Sequence, residues 1–543
     1  MSTEALQENL SGSPVAWRER VVAWADRFEG WLAGCSDYLN PILVKETRQA
    51  LKSRQFVLWF LLLLAACWIV TIGGVALIGP SIYYAASGGV FYYAYFVVLA
   101  FPLAVVVPFS TYRSLAAEQE ENTRDLLMAS ALSPRQIING KLGSAVLQML
   151  VYFSALSPCL AFTYLLRGVD LVTVVLLPVY AFLTSLMLSM LGLVAASITR
   201  RKYGQVVVSI GLISILLGSF SWGLAAAAVL VHEGFRYFRD ADFWLVNMLA
   251  MTFYLTTFLL LYFIAAGLNT FTAANRSTPI RMVLFIKQAC AMGWLAYGWI
   301  ESDYDYEPLL YAGVLFGMGW FSVASLMTGE SPVLSNRVRR TLPESAFGRM
   351  MASWFNPGPD AGYLFAVATW MSVLICLVVA IAFTTNSTQR DQAFLFLAAA
   401  TCYAVIFLGL GRIIVTLLRR IAEVTMLGCL LINFLLVLGC SAGPPLVAVW
   451  TGAARSSGFD SYYLFSPILT LGSLVGGRVN DEDLLLLAIT LPGFAICTLL
   501  VSLVQAGREL RQSRTPIPMR VIEDELELNP LPTPAVKNPW GDK

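Results

Sequence analysis

Residues 56–78 read FVLWFLLLLAACWIVTIGGVALI, a run of 23 residues that carries no charged side chain. Because an α-helix rises 1.5 Å per residue, this run is long enough to cross the hydrocarbon layer of a membrane, which is ~30 Å thick. Further apolar runs of similar length follow at residues 91–110, 142–166, 172–198, 206–231, 244–268, 282–300, 308–328, 362–385, 393–411, 424–448 and 484–505. The sequence therefore predicts an all-α, polytopic membrane helical bundle with about 12 transmembrane helices.

The composition of the whole chain excludes an ordinary soluble protein. Of its 543 residues, 58% are hydrophobic and 13% are charged, whereas soluble domains carry about 25% charged residues. The first 54 residues contain neither an early apolar core nor a small-residue cleavage site, so we expect no removable secretion signal. The net charge of +2 is too small to indicate a nucleic-acid partner.

The basic residues are distributed unevenly over the predicted loops. Of the 36 Lys and Arg, 29 fall in the two tails and alternate loops, six fall in the opposite loops, and Lys287 lies inside the seventh predicted span. Loops rich in Lys and Arg remain on the cytoplasmic side of a membrane. We therefore expect a multi-pass protein with both termini in the cytoplasm.

The charge map divides the spans into two halves of six. We predict a cytoplasmic amphipathic tail at 1–39, a first six-helix half at 40–270, a second six-helix half at 271–506 and a disordered cytoplasmic tail at 507–543. In each half the longest internal cytoplasmic loop joins the second and third spans. Two explanations remain open: a degenerate duplication of one unit, or the general likeness of long apolar helices.

The two tails differ in kind from the spans. Residues 14–39 space bulky apolar side chains at intervals of three and four, which predicts an amphipathic helix on the cytoplasmic leaflet: Trp17, Val21, Trp24, Phe28 and Trp31. From residue 523 onward acidic residues are followed by several prolines. Such a segment cannot bury enough apolar area to fold, and we predict that it is disordered.

Most catalytic and cofactor chemistry has no residues to support it. His232 is the only histidine, which excludes histidine-ligated haem, an HExxH zinc site and a buried Ser-His dyad. No GxxxxGK[ST] loop for ATP occurs, because Gly140-Lys141 is followed by leucine. No Asp or Glu lies in the interior of a predicted span, which argues against coupling to protons or sodium ions. We predict neither an enzyme nor a metal site.

Two segments outside the predicted spans give evidence about function, and the first of them precedes span 1. Residues 40–54 read NPILVKETRQALKSR. Asn40 is suited to cap a helix, and Pro41 is suited to its first position. The basic side chains can reach lipid phosphates, namely Lys45, Arg48, Lys52 and Arg54. We expect a helix along the membrane interface before the chain turns inward; the alternative is an ordinary basic flank of a membrane span.

The second segment is the loop between spans 2 and 3, which contains EQEENTRDLL at 118–127 and LSPRQIINGK at 132–141. Ser133 followed by Gln136, with Pro134 between them, predicts a capping box that opens the helix of span 3. Leu126 and Leu127 place apolar side chains beside an acidic run on a predicted short cytoplasmic helix. Such a helix is suited to receive a push from a soluble motor, because it can dock in a cleft and leads into a span.

At these residues the chain resembles the permease subunits of type-2 ABC exporters. The family pattern runs Asn-Pro-x-x-x-x-Glu before span 1 and Glu-x-Glu-x-Gly-Thr-x-x-x-Leu-Leu-x-x-Pro-Leu-Ser-x-x-x-Ile-x-x-Gly-Lys before span 3. The matching residues are Asn40, Pro41 and Glu46 in the first, and Glu118, Glu120, Thr123, Leu127, Leu132, Ser133, Ile137, Gly140 and Lys141 in the second. The chain departs from the pattern at Asn122, where glycine is usual, and at Ala131, where proline is usual.

The resemblance covers roughly residues 38–270 and implies a type-2 exporter fold for the first half. Residues 40–54 would be the elbow helix, and residues 118–141 would contain the coupling helix that docks on a separate P-loop ATPase subunit. ATP and Mg²⁺ would bind that subunit, and this chain would bind no cofactor. Glu118, Glu120 and Glu121 would meet its basic groups, Leu126 and Leu127 would fill its cleft, and Ser133 and Pro134 would transmit the tilt to span 3.

The resemblance also implies a place and a task. The protein would be an export permease in the bacterial inner (plasma) membrane, surrounded by the lipid bilayer, with a second permease chain unless its own second half completes the permease. Family members include permeases linked to multicopper-enzyme maturation, polysaccharide or lipid export and drug resistance, so the cargo stays open. The alternatives are a secondary transporter or flippase that needs no ATPase, and a membrane assembly or scaffold protein.

Overall fold

The computed structural model describes residues 40–84, 86–121, 132–198, 202–271, 274–302, 307–330, 354–383, 387–422, 424–451, 461–476, 479–512 and 519–528, with a few positions between 334 and 348. These residues form helices, and none of them lies in a strand. Within them, 12 helices are long and apolar enough to cross a membrane. The prediction of an all-α polytopic bundle is confirmed, and each predicted span falls on one of these helices. The amphipathic helix predicted at 14–39 lies outside the described residues.

The first half begins with a helix at Pro41–Lys52, which we call the elbow helix. Span 1 is Arg54–Ile78, and span 2 runs through Gly88–Phe101, a π-helical turn at Pro102–Val106, and Val107–Glu120. Spans 3 to 6 are Pro134–Leu165, Leu171–Ile198, Lys202–Tyr237 and Ala241–Leu268. The π-helical turn begins at Pro102, and Pro108 follows in the next helical turn; neither proline has an N–H group to donate an α-helical hydrogen bond.

The second half contains spans 7 to 12. They are Ser277–Glu301, Glu307–Met327, Pro359–Ala382, Ser387–Leu418, Met426–Thr451 and Asp481–Gln512. A 3₁₀ turn at Ser461–Phe465 and a short helix at Pro467–Val475 lie between spans 11 and 12. A last helix occupies Met519–Leu528.

The chain forms two compact units, one ending at Thr270 and the other beginning at Phe271. In the first unit, span 2 packs against spans 1, 3, 4 and 5, span 4 packs against spans 3, 5 and 6, and span 3 packs against span 6. In the second unit, span 8 packs against spans 7, 9, 10 and 11, span 10 against spans 9, 11 and 12, and span 9 against span 12. Each of these pairings in the first unit therefore recurs six spans later.

Span 2 forms the centre of the first unit. Its residues Tyr92, Leu99 and Val107 have no exposed surface, and they pack with Met149 and Tyr152 of span 3. Large apolar side chains on the outer faces of both units are exposed, as expected for helices that lipid surrounds, for example Leu77, Trp222 and Trp450. The buried centre of the first unit thus lies around span 2, which contacts spans 1, 3, 4 and 5.

The C-terminal segment differs from the prediction. Residues 507–543 were expected to be disordered, but the helix of span 12 continues to Gln512 and a separate helix forms at Met519–Leu528. The reason is local, because the alternation of apolar and charged residues over this segment gives an amphipathic helix.

Candidate functional site

The start of the elbow helix has the local structure that its sequence predicts. Asn40 caps the helix, since its Oδ1 accepts a hydrogen bond from the backbone N–H of Ile42 at 3.1 Å, and Pro41 opens the first turn. The Asn40 amide also donates to the backbone carbonyl of Gln136, next to the start of span 3. A single side chain therefore caps one helix and joins it to another.

The start of span 3 is also as predicted. The Ser133 Oγ accepts from the backbone N–H of Gln136 at 3.3 Å, and the Gln136 side chain accepts from the backbone N–H of Ser133 at 2.8 Å. This is the capping box expected from the sequence. It fixes where the loop ends and where the helix of span 3 begins.

The elbow helix packs closely on span 3 because span 3 carries glycine at the contact. A Cβ atom added to Gly140 would lie 2.7 Å from Ile42 Cγ2, and one added to Gly143 would lie 2.8 Å from Leu43 Cδ1. Ile42 is buried at this contact. The two helices can thus approach each other closely only because these side chains are absent.

An ion cluster joins the same two helices to the end of span 2. The Lys141 ammonium lies 3.0 Å from Glu46 Oε1 of the elbow helix and 2.9 Å from Glu118 Oε1 of span 2. It also donates to the backbone carbonyl of Ser114 at 3.3 Å. We call Glu46, Glu118 and Lys141 the first ion cluster. The Lys141 side chain is 1% exposed, and the three donors of its ammonium all have acceptors.

Burial makes this cluster important for stability. Removing one partner from a buried ion pair costs about 3–5 kcal/mol, because the remaining charge is left without compensation. Here two carboxylates share one ammonium, so the loss of one carboxylate leaves the lysine still neutralised. The loss of Lys141 would leave two buried carboxylates close together. Lys141 is therefore the critical member of the cluster.

Glu118 has a different position from the one predicted. It was expected to meet basic groups of a partner, but its carboxylate points inward to Lys141 and its side chain is 12% exposed. Glu120 and Glu121, one turn further along, are exposed. The side chain of Glu118 turns inward because Lys141 is the nearest group that can neutralise it in a buried setting.

The remaining predicted residues are divided between exposed and buried positions. Lys45, Arg48 and Arg54 of the elbow segment are exposed, while Ile137 is buried and Leu132 is half-buried. Pro134 occupies the first turn of span 3. Thr123, Leu126 and Leu127, together with the short helix predicted around them, lie outside the described residues.

The second unit contains a second ion cluster, formed by Arg281 of span 7 and Glu330 just after span 8. Arg281 Nη2 lies 2.7 Å from Glu330 Oε2, and its Nη1 donates to the Trp354 carbonyl at 3.0 Å. The Glu330 carboxylate also accepts from Ser277 Oγ and from the backbone N–H of Gly358, both at 2.7 Å. The Arg281 side chain is fully buried. This cluster joins the start of spans 7 and 9 to the end of span 8.

A further buried pair lies in the second unit. The Arg412 guanidinium of span 10 pairs with Asp360 in the first turn of span 9 and also donates to the side-chain oxygen of Gln505 in span 12. Its guanidinium lies over the Tyr363 ring, 5.5 Å from the ring centre. Spans 9, 10 and 12 are thereby joined by charge as well as by packing.

Sequence reasoning did not find these ion clusters. Glu46, Glu118 and Lys141 were singled out, but as matches to a pattern and not as partners of one another. Arg281, Glu330, Asp360 and Arg412 were not singled out. The available signal was their position: charged residues at the ends of apolar spans are costly unless they are paired. Comparison of the chain with protein-family models, curated proteins and solved structures found no match.

Proposed function

We propose that this protein is the membrane permease subunit of a type-2 ABC exporter, driven by a separate P-loop ATPase subunit. The observation that carries the proposal is the first ion cluster. Glu46 belongs to one of the two sequence segments that resemble the family, and Glu118 and Lys141 belong to the other. The Glu46 and Glu118 carboxylates both lie within 3.0 Å of the Lys141 ammonium. The three residues are far apart in the sequence, and the cluster gives them one shared role: the two carboxylates neutralise the buried lysine.

The cluster supplies a route by which a push is transmitted. Residues 122–131 connect Glu121 at the end of span 2 to Leu132 before span 3, and the elbow helix is joined to both spans through Lys141. A partner that displaces this loop therefore acts on three helices at once. In the proposal, the capping box at Ser133 keeps the start of span 3 rigid, so that the displacement tilts the span.

Copurification tests the proposal directly. The tagged full-length protein, purified in mild detergent, is expected to bring along a P-loop ATPase that lacks membrane spans. Glu120→Arg and Leu127→Asp are expected to release that ATPase, while the control Glu301→Arg, at an exposed position on the opposite predicted side, should retain it. If wild type carries no ATPase, or if the variants retain it fully, a secondary transporter, a flippase or an assembly protein becomes the better explanation.

The proposed location is the bacterial inner membrane, with both termini and residues 118–141 in the cytoplasm. Labelling of intact cells with a membrane-impermeant maleimide tests the orientation. In a variant whose native cysteines are replaced by serine, Glu301→Cys should react from outside and Glu120→Cys should react only after the cells are opened. The reverse pattern would place the loop on the wrong side for an ATPase and would contradict the proposal.

The repeated pairing of spans supports the view that one chain supplies both halves of the permease. An ATPase dimer would then bind a single copy of this protein. Native mass spectrometry of the purified complex is expected to give one permease chain for two ATPase chains. A ratio of two to two would instead require a second permease chain.

A further inference from the structure

A cavity of about 650 Å³ lies within the first unit, between the elbow helix, span 1, span 2 and span 3. This volume is in the range of sites that bind small molecules, ~300–1,000 Å³. On span 3 its lining extends from Lys141 to Tyr152, and eleven residues of helix cover about 16 Å. The cavity is therefore a long slot that runs beside span 3, and it stands independently of any ATPase.

The slot exists because the chain bends between the elbow helix and span 1. At Ser53 the backbone is extended, with φ −66° and ψ 138°, and the Ser53 Oγ caps span 1 by accepting from the backbone N–H of Phe56. The elbow helix contacts span 3 at Gly140, and span 1 returns to it where the Phe56 ring lies 5.3 Å from the Tyr152 ring. The two contacts leave a gap between them, lined by Gln49, Ala50 and Ser53.

The slot is polar in the middle and apolar at its inner end. Gln148 and Ser110 line its middle, where the Ser110 Oγ donates a hydrogen bond to Gln148 Oε1 at 3.3 Å. One turn deeper lie Val106 and Tyr152, and the Tyr152 ring packs against Phe56. The Tyr152 side chain has no exposed surface, and its hydroxyl has no hydrogen-bond partner within the described residues. A buried hydroxyl without a partner is costly, so this group is suited to a ligand that brings an acceptor.

Some of the charged groups along the slot form ion pairs with each other, and others form no ion pair with a described residue. Glu46 and Glu118 are both occupied by Lys141. Lys45, Arg113 and Glu121 also line the slot and are exposed, and none of the three forms an ion pair with another described residue. Two exposed cations beside a partly apolar slot suit a phosphate group, and Glu121 is an exposed carboxylate in the same lining.

We infer that this slot is a phospholipid-binding site. The phosphate binds Lys45 and Arg113, an ester carbonyl accepts a hydrogen bond from the Tyr152 hydroxyl, and the start of one acyl chain lies against Phe56 and Val106. A phospholipid combines an anionic phosphate, hydrogen-bond acceptors and a hydrocarbon chain in the order in which the slot presents their partners. The exposed basic face of the elbow helix lies beside the entrance and favours the same anionic surface.

Binding is tested on the full-length protein, delipidated in maltoside detergent and titrated with four probes while the unfolding temperature is recorded. The probes are lysophosphatidylethanolamine, monoacylglycerol, glycerol 3-phosphate and inorganic phosphate. A specific ligand raises the unfolding temperature in a saturable manner. We expect this from the lysophospholipid alone. Equal stabilisation by monoacylglycerol would overturn phosphate recognition, and equal stabilisation by either phosphate without a chain would overturn a lipid ligand.

Two variants locate the binding. Tyr152→Phe should weaken the lysophospholipid about fivefold through the loss of one hydrogen bond, and Arg113→Gln should weaken it about tenfold or more through the loss of a charge-assisted bond. Both variants should fold, because the Tyr152 hydroxyl has no hydrogen bond to another described residue and Arg113 is exposed. The matched controls are Tyr203→Phe and Arg420→Gln, exposed residues outside the slot and away from the elbow helix. Unchanged affinity in both test variants, as for a slot that holds only water, would overturn the inference.

Discussion

The two units share their pairing of spans but place their charges differently. In the first unit the cation lies on the third span, as Lys141, and two carboxylates share it, one from the elbow helix and one from the end of span 2. In the second unit the cation lies on the first span of the unit, as Arg281, and the carboxylate that pairs with it within the described part of the chain is Glu330. In both units the cluster joins helix ends that are predicted to lie on the cytoplasmic side.

The start of the third span in each unit shows the same contrast. Span 3 is capped locally, by the neighbouring side chains of Ser133 and Gln136. Span 9 has no side-chain cap of its own, and its Gly358 N–H donates instead to Glu330 from span 8. A helix start can thus be satisfied by local sequence or by a distant partner, and only the first kind is visible in a sequence pattern.

The largest expected effect concerns Glu330, the carboxylate that pairs with Arg281 among the described residues. Glu330→Gln should lower the free energy of unfolding by about 3–5 kcal/mol, because the fully buried Arg281 loses its counter-charge. Titration with SDS in mixed micelles measures this. The control Glu301→Gln, at an exposed position, should change stability little. A loss below about 1 kcal/mol for Glu330→Gln would show that Arg281 is neutralised in another way.

The same substitution should matter less in the first unit. Glu46→Gln and Glu118→Gln should each cost about 1 kcal/mol or less, because Lys141 keeps one carboxylate. The double variant should cost about 3 kcal/mol, more than the sum of the two, since Lys141 then has none. Additive effects in the same SDS titration would mean that the two carboxylates do not share the charge of Lys141.

Glycine contacts test whether both units need close approach beside the ion cluster. An alanine Cβ at Gly140 would lie 2.8 Å from Ile42 Cβ, and one at Gly362 would lie 2.8 Å from Met327 Cβ. Gly140→Ala and Gly362→Ala should each destabilise by about 1–3 kcal/mol. Gly293→Ala is the control, because nothing lies within 4 Å of its added Cβ. Its effect should be neutral or stabilising by up to about 1 kcal/mol.

The smallest expected effect concerns the local cap of span 3. Ser133→Ala should cost about 1 kcal/mol and should speed hydrogen exchange in the first turn of span 3, while exchange at the start of span 9 stays unchanged. Ser154→Ala, at an exposed position within the same span, is the control. Unchanged exchange near residue 134 in Ser133→Ala would show that packing against the elbow helix, and not the cap, fixes this helix start.

The sequence predicted the parts of the fold that depend on neighbouring residues. The 12 membrane helices follow from the length of uncharged runs, and the caps at Asn40 and Ser133 follow from side chains two or three residues away from the N–H groups that they satisfy. It predicted the residues of the first ion cluster only as matches to a family pattern. It missed the second cluster, the Asp360–Arg412 pair and the helix at Met519–Leu528.

The sequence by itself determined that the chain crosses a membrane and where the elbow helix and span 3 begin, because hydrophobic length and capping are local properties. Only the tertiary structure decided which charges pair, since Lys141 and Glu46 are 95 residues apart and their contact depends on how the elbow helix packs on Gly140. The slot beside span 3 was also decided only by the tertiary structure. It is the space between two long-range contacts, one of the elbow helix with span 3 and one of span 1 with span 3.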